Sequence, residues 1–192
     1  MKIALLRHGP TDWNAEHRIQ GQTDIPLSSE GMMKMRHLRV PFPAKRTFAS
    51  PTQRTRQTAK AMRLANPILD ARLMEQNWGR WEGLSLQAIT EKEGKDAFIR
   101  AGRRGLFRPP GGESIDEVMA RVDDFLQAAR LDSDAIAVTH MGVLRAAYTL
   151  ATGWDMATPM PPELDVSKIL VLEMSKGGKP SIYALNMEFA TL

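Results

Sequence analysis

Ile3-Ala4-Leu5-Leu6-Arg7-His8-Gly9-Pro10-Thr11-Asp12-Trp13-Asn14 opens the chain, and its reading decides the fold. Four apolar residues cut off by a polar cluster are too few for a helix and read as a buried strand. Gly9 and Pro10 then break the regular backbone. In open α/β sheets, ligands bind beyond the carboxyl ends of the strands. Arg7, His8, Thr11 and Asn14 fall in that position. An arginine beside a histidine, with Gly9 freeing the backbone, suggests an anion site built around an imidazole.

The strand pattern repeats along the chain. Thr47-Phe48-Ala49-Ser50 and Ala135-Ile136-Ala137-Val138 are further short buried strands, and Ile68-Leu69 with Leu73 forms another extended segment. Asn14 to Asp24 reads as a polar loop folding over the site. Between the strands lie helical spacings. Ser28 caps a helix carrying Met32, Met35 and Leu38 that Pro41 and Pro43 end, and Pro51 introduces a helix over Thr52 to Ala65. Ser85 caps a helix reaching to about Ile99. Ser114-Ile115-Asp116-Glu117 is a capping box, followed by Val118, Met119, Val122, Phe125 and Leu126 on one face. Val143 to Thr152 is a helix with Gly153 just past its end. Ile169–Met174 and Ser181–Leu185 form a closing hairpin. Alternation of this kind predicts an α/β fold, a mostly parallel central sheet with helices on both faces. No repeat or linker divides the chain, so residues 1–192 read as a single domain.

Composition narrows the function classes. The chain has 192 residues, 43% of them hydrophobic and 25% charged, which suits one globular core. It has no cysteine, so disulfides and thiolate metal sites are excluded, and a reducing compartment fits. The apolar run after Lys2 is too short for a signal peptide, and no apolar stretch is long enough to cross a bilayer. A cytoplasmic location is the expectation, with no membrane partner. The net charge of +4 fits either nucleic-acid binding or a small anionic substrate. Basic residues are spread along the chain, which favours the substrate, and no nucleic acid is expected. Arg100, Arg103, Arg104 and Arg108, mixed with Gly102 and Gly105, read as a solvated loop; the alternative is a rim that draws anions inward. The exposed C-terminal hairpin offers an edge to a second copy, so a homodimer is also an expectation.

His8 and His140 each end a strand, and the run ending at Ser50 leads into a helix whose first turn carries Arg54. Parallel strands that neighbour each other would bring all these groups into one cleft. A phosphoryl group in transfer carries charge on its equatorial oxygens, which planar guanidinium forks and an imidazolium match well. Arg7, Arg54 and His140 are those groups, with Asn14 as a neutral donor. A carboxyl group must still protonate the departing oxygen. His17 and His37 fit no zinc spacing. Trp78 and Trp81 read as core or pocket wall, and Met32, Met33 and Met35 as packing with one exposed member.

Taken in order, these residues resemble the histidine phosphatase (phosphoglycerate mutase-like) superfamily. The likeness runs through Arg7-His8-Gly9-x-Thr11-x-x-Asn14, Gly21-x-x-Asp24-x-Pro26-Leu27-Ser28-x-x-Gly31 and Ser50-Pro51-x-x-Arg54-x-x-Gln57-Thr58-Ala59. It continues in Glu75-x-x-x-Gly79-x-Trp81-Glu82-Gly83, Gly112-Glu113-Ser114 and Thr139-His140-x-Gly142. The resemblance implies a three-layer α/β/α sandwich and phosphoryl transfer through a phosphohistidine, with no metal and no cofactor. It makes His8 the nucleophile and places Arg7, Arg54 and His140 on the phosphoryl oxygens. Thr11, Asn14, Gln20 and Gly21 then line the substrate side, together with Glu82 and Met141. Glu75 is similar to the family's proton donor, with Glu82 and Glu113 as the fallback choices. Pro10 stands where the family often has Glu, and Met141 where a small or polar residue is common, so the shape of the substrate side departs from the pattern.

The expected activity is a phosphomonoesterase acting on a small phosphorylated metabolite. Glu75, Trp81-Glu82-Gly83 and Gly111-Gly112-Glu113-Ser114 resemble the branch holding α-ribazole phosphatases and broad-specificity phosphatases. The alternatives are a cofactor-dependent phosphoglycerate mutase and a non-catalytic module that binds a phosphorylated ligand on the same fold. Mutases shield their intermediate with additional covering segments; this chain shows no obvious insert, which favours hydrolysis.

Overall fold

Strand β1 (Lys2–Arg7) lies between neighbours of opposite sense: β5 (Ala135–Thr139) runs parallel to it and β6 (Ile169–Met174) antiparallel. The structure, a computed structural model, describes residues 1–105, 107–130, 133–156 and 158–192. Beyond β5 come β3 (Arg46–Ala49) and β4 (Ile68–Leu69), both parallel, and beyond β6 the antiparallel β7 (Pro180–Met187). The six-stranded order is β4-β3-β5-β1-β6-β7, a mostly parallel sheet closed by the hairpin.

Residue alternation sorts the core into two layers. Ile3, Leu5, Ala135 and Ala137 point into one, against α6 (Ile115–Ala129) and α7 (Met141–Thr152). Ala4, Leu6, Ile136 and Val138 point into the other, against Met35 of α2 (Ser29–Arg36) and Ala59 and Ala61 of α3 (Gln53–Ala61). Because both faces are covered, the strands read as unbroken apolar runs rather than alternating ones. This is the three-layer α/β/α arrangement. Among the described residues no helix is long and apolar enough to cross a membrane.

The capping box of α6 is formed as expected. Ser114 Oγ accepts from the Glu117 N–H at 3.3 Å, and Glu117 Oε2 accepts from the Ser114 N–H at 2.8 Å. Ser114→Ala should therefore lower unfolding stability by about 1 kcal/mol. Urea titration checks this, and an unchanged midpoint would mean that the box contributes nothing.

Several boundaries differ from the sequence reading. Overlapping the start of the loop expected over Asn14 to Asp24, α1 (Asp12–Ala15) forms a single turn, with Thr11 as its cap. Helix α2 stops at Arg36, before either proline, because Leu38–Arg39 (β2) pairs with Ala190–Thr191 (β8). Helix α3 stops at Ala61 rather than Ala65. Its end is a Schellman motif: the Leu64 N–H bonds Ala59 O at 2.9 Å, the Arg63 N–H bonds Lys60 O at 3.1 Å, and Arg63 takes a left-handed φ of 58°. Leu73 is buried in a 3-10 turn (Ala71–Leu73) and is not extended. The helix expected from Ser85 to Ile99 is two: α4 (Leu86–Glu93) ends at Gly94, and α5 (Ala97–Ala101) follows. Helix α7 begins two residues before Val143 and ends on Gly153 as expected.

The segment after β4 folds over the carboxyl edge of the sheet. Its own small core holds Trp78, Trp81, Ile89, Ala97 and Ala101, with Trp78 stacked on Phe98 at 5.0 Å. Both tryptophans are thus core residues of this roof. In α2, Met35 is buried and Met33 is exposed.

Candidate active site

The parallel pairing of β1, β5 and β3 sets His8, His140 and Ser50 side by side just past three neighbouring strand ends. The His8 N–H continues the ladder by bonding Thr139 O at 2.9 Å, and the Ser50 N–H bonds Val138 O at 3.0 Å. The two imidazoles meet edge to face, with centroids 5.2 Å apart.

His8 is 8% exposed, and its Nδ1 lies 2.7 Å from the Gly9 carbonyl. A carbonyl can only accept, so Nδ1 carries the hydrogen and Nε2 keeps its lone pair. The Gly9 N–H in turn donates to Thr58 Oγ1 at 2.9 Å, which steadies the turn. Burial, reinforced by the Arg7 and Arg54 charges, holds the His8 pKa well below the usual histidine value, against the opposing Gly9 bond. His140 is fully buried, with Nε2 2.9 Å from Ser50 Oγ and Nδ1 unpartnered among the described residues. Burial again comes first in depressing its pKa, followed by His8, Arg54, Arg7 and Arg121.

Arg54, at the start of α3, is completely buried. Its two terminal nitrogens donate to Thr23 O at 2.8 Å and Gly21 O at 2.6 Å. Burial lowers its pKa, opposed by Glu75, Asp24 and Glu82. The same holds for Arg7, where Glu75 opposes the burial. The result is a compact positive site with a bare imidazole nitrogen, suited to a small dianion.

The carboxylates separate by what their oxygens already do. Glu75 Oε1 accepts from the Gln76 N–H at 2.9 Å and the Gly142 N–H at 3.0 Å; Oε2 has only a 3.3 Å contact to Gly142 N. Position 142 must be glycine for this approach, since a Cβ there would lie 2.2 Å from Glu75 Oε1. Glu82, expected on the substrate side and as a fallback acid, instead clamps the turn over Arg54. Its oxygens take the N–H groups of Gln22, Thr23 and Trp78 and the Thr23 hydroxyl. Gly21 (φ 52°) fits under that carboxylate because a Cβ would lie 2.0 Å from Oε1. Glu113, the other fallback, is held in a two-point ion pair by Arg121, at 2.7 and 3.0 Å.

Thr11 and Asn14 bind each other: Asn14 Oδ1 accepts from the Thr11 N–H and hydroxyl, both at 3.0 Å, which leaves the Asn14 amide N–H groups to donate outward. Gln20 Oε1 is buried without a described partner, and Met141 is 36% exposed at the start of α7. A cavity of about 500 Å³ opens beside Arg7, His8 and Asn14, with Lys34, Met35 and Phe189 among its other walls. In the arginine loop, Arg104 pairs with Asp116, Arg108 with Glu117, and Arg100 covers the Phe107 ring.

A family model described as histidine phosphatase superfamily (branch 1) matches residues 3–187. The chain belongs to that superfamily. A relative from Escherichia coli O1:K1 / APEC named probable phosphoglycerate mutase GpmB is 36% identical over 140 residues, 68% of this chain and 63% of that protein. The match thus spans less than two thirds of the relative's length. Phosphoglycerate mutase from Thermus thermophilus superposes with a TM-score of 0.71 at 32% identity, covering 100% of this chain and 99% of that one. YhfR from Bacillus stearothermophilus gives a TM-score of 0.80 at 28% identity over 95% of each chain.

In this superfamily member, Ser50, Thr58 and Arg121 support the site although sequence reasoning gave them no role. Ser50 and Thr58 lie within the family-like motif Ser50-Pro51-x-x-Arg54-x-x-Gln57-Thr58-Ala59, at a strand end and on a helix. Arg121 carried no signal, because its partners Glu113 and the Arg72 and Glu75 carbonyls come from other elements.

Two buried neutral histidines make stability depend on pH. Their folded pKa values are depressed, so above about pH 6.5 both states are neutral and nothing is lost. As pH falls below that value, the unfolded chain gains protons that the folded one refuses. Stability should then drop by roughly 1.4 kcal/mol per pH unit for each histidine. Urea unfolding of the parent and of His8→Asn between pH 7.5 and 5.5 tests this; equal slopes for the two would contradict it.

Proposed function

We propose that the protein is a phosphomonoesterase that hydrolyses a small phosphorylated metabolite through a phosphohistidine on His8. The observation that carries this reading is the His8 Nδ1 bond to Gly9 O, which leaves Nε2 unprotonated in a site that also feels the Arg7 and Arg54 charges. Nε2 attacks phosphorus while Arg7, Arg54 and His140 hold the equatorial oxygens and Asn14 donates from the substrate side. The P–O bond breaks, and the leaving oxygen takes a proton from Glu75. Glu75 suits this step because Oε2 is nearly free, whereas the oxygens of Glu82 and Glu113 are committed. Water then attacks phosphorus, giving its proton to Glu75, and the P–N bond returns its electron pair to His8. Thr11, Gln20, Gly21 and Met141 shape the substrate side. The guanidinium groups supply the charge that a metal would otherwise bring.

The sequence likeness to α-ribazole and broad-specificity phosphatases favours hydrolysis. A second reading, phosphoglycerate mutase, is favoured by the names of the Escherichia coli and Thermus thermophilus relatives. The discriminating experiment measures phosphate release from p-nitrophenyl phosphate, with and without EDTA, beside isomerisation of 3-phosphoglycerate. EDTA-resistant release is expected. Isomerisation with negligible hydrolysis would reverse the order of the two readings.

A further inference from the structure

The contact between Ser50 and His140 has no part in the reaction scheme so far. Both are fully buried, with 2.9 Å between Ser50 Oγ and His140 Nε2. The sheet brings the two near each other, because Ala49 lies opposite Val138, which sets Ser50 beside Thr139, one residue before His140. The Ser50 carbonyl is occupied by the Thr55 hydroxyl at 2.6 Å. Among the described residues the Ser50 hydroxyl bonds only the imidazole.

A hydroxyl can donate or accept, so the partner's needs decide the direction. His140 Nδ1 is buried with no described partner, which marks it as the nitrogen left for a bound group. Were Nε2 to carry the hydrogen, Nδ1 would turn a bare lone pair toward phosphoryl oxygens. With the hydrogen on Nδ1, the ring instead donates to them, and Nε2 accepts from Ser50. A second proton would also supply a donor, but burial and the surrounding cations resist it.

We propose that Ser50 is a positioning residue whose hydroxyl donates to His140 Nε2 and fixes the ring as the Nδ1–H tautomer, so that His140 offers a neutral N–H to the phosphoryl oxygens. This rests on the phosphoryl-transfer reading of the same site. On this proposal the donor at this position is a neutral ring rather than the imidazolium anticipated from sequence. Tautomer control of this kind is worth up to about 10⁴ in kcat where the histidine is itself the base. A supporting oxygen ligand should show less, roughly 10- to 100-fold.

The test uses ¹⁵N-histidine-labelled full-length protein and two-dimensional NMR, with inorganic phosphate as the ligand. Parent protein should show His140 protonated at Nδ1 and bare at Nε2. Ser50→Thr keeps the hydroxyl and should keep that tautomer; Ser50→Ala should lose it. In kinetics, Ser50→Ala should lose roughly 10- to 100-fold in kcat with little change in KM. Its remaining kcat should gain more than the parent's as pH falls, because an imidazolium donates from Nδ1 whichever neutral tautomer it replaces; Ser50→Thr should restore the parent profile. The groups facing His140 in that titration are His8, Arg7, Arg54 and Arg121, with Glu75 bound to the adjacent Gly142 N–H. An Nε2–H tautomer in the parent protein would overturn the proposal without any variant. So would a Ser50→Ala protein that is merely less stable, with the parent's profile shape. Neither result touches the reading of His8 as nucleophile, which fails separately if no phosphoenzyme forms.

Discussion

His8→Ala should reduce phosphate release by roughly 10⁴-fold or more while leaving phosphate binding within a few-fold of the parent. The asymmetry follows from what the substitution removes. The imidazole brings a bare nitrogen lone pair whose direction is fixed by the neighbouring residue's backbone, through the 2.7 Å bond to Gly9 O. Arg7, Arg54 and His140 stay in place, so the charge that attracts the anion persists. The turn after β1 is also anchored independently, by the Gly9 N–H on Thr58 and by the Thr11–Asn14 pair, so the variant should fold. Turnover within tenfold of the parent would move the nucleophile elsewhere. Near-complete loss of turnover with intact binding would also dispose of the non-catalytic reading, since a binding module has no turnover to lose.

Arg54→Ala should produce the other large effect, on stability and rate together. Arg54 is completely buried, and its guanidinium joins α3 to the turn over the site through Gly21 O and Thr23 O. Removing it strands both carbonyls and opens a void, which should cost about 3–5 kcal/mol. Relief of repulsion with Arg7 offsets part of that loss, but one cation–cation contact is weaker than two charge-assisted hydrogen bonds. Because the same turn is clamped by Glu82, loosening it should also displace Gln20 and Gly21. Together with the lost charge, this should lower kcat by roughly 10²- to 10³-fold. Arg54→Lys restores the charge but not the two-pronged geometry, and should recover only part of either loss. Urea unfolding and initial rates on p-nitrophenyl phosphate check both. A loss below about 1 kcal/mol would mean that the turn does not depend on Arg54.

What sequence made legible was whatever chemistry confines to a few neighbouring residues. The run Ile3–Leu6 could only be a strand covered on both faces, and the Ser114–Glu117 box could only start a helix. The ordered motif blocks then carried the family and placed His8, His140, Arg54 and Glu75 near one sheet edge. What stayed hidden depends on partners far apart in the chain. Helix α2 ends early because Leu38 finds Thr191 across the molecule. The role of Glu82 is set by backbone donors at Gln22 and Thr23, some sixty positions earlier, so nothing in Trp81-Glu82-Gly83 distinguishes a clamp from a ligand or an acid. Glu113 is similar: its capture by Arg121 needs a helix that brings the two together. The single turn α1 and the break at Gly94 are short-range features, yet each involves too few residues for periodicity to register.

The most direct test is to trap the intermediate. Enzyme mixed with excess p-nitrophenyl phosphate and quenched at alkaline pH, where phosphohistidine survives, is digested and mapped by mass spectrometry. The site of attachment is then assigned by ³¹P and ¹⁵N NMR. Phosphate on His8, bonded to Nε2, is the expected result. Phosphate on Nδ1, on any other residue, or on none under turnover would contradict the account.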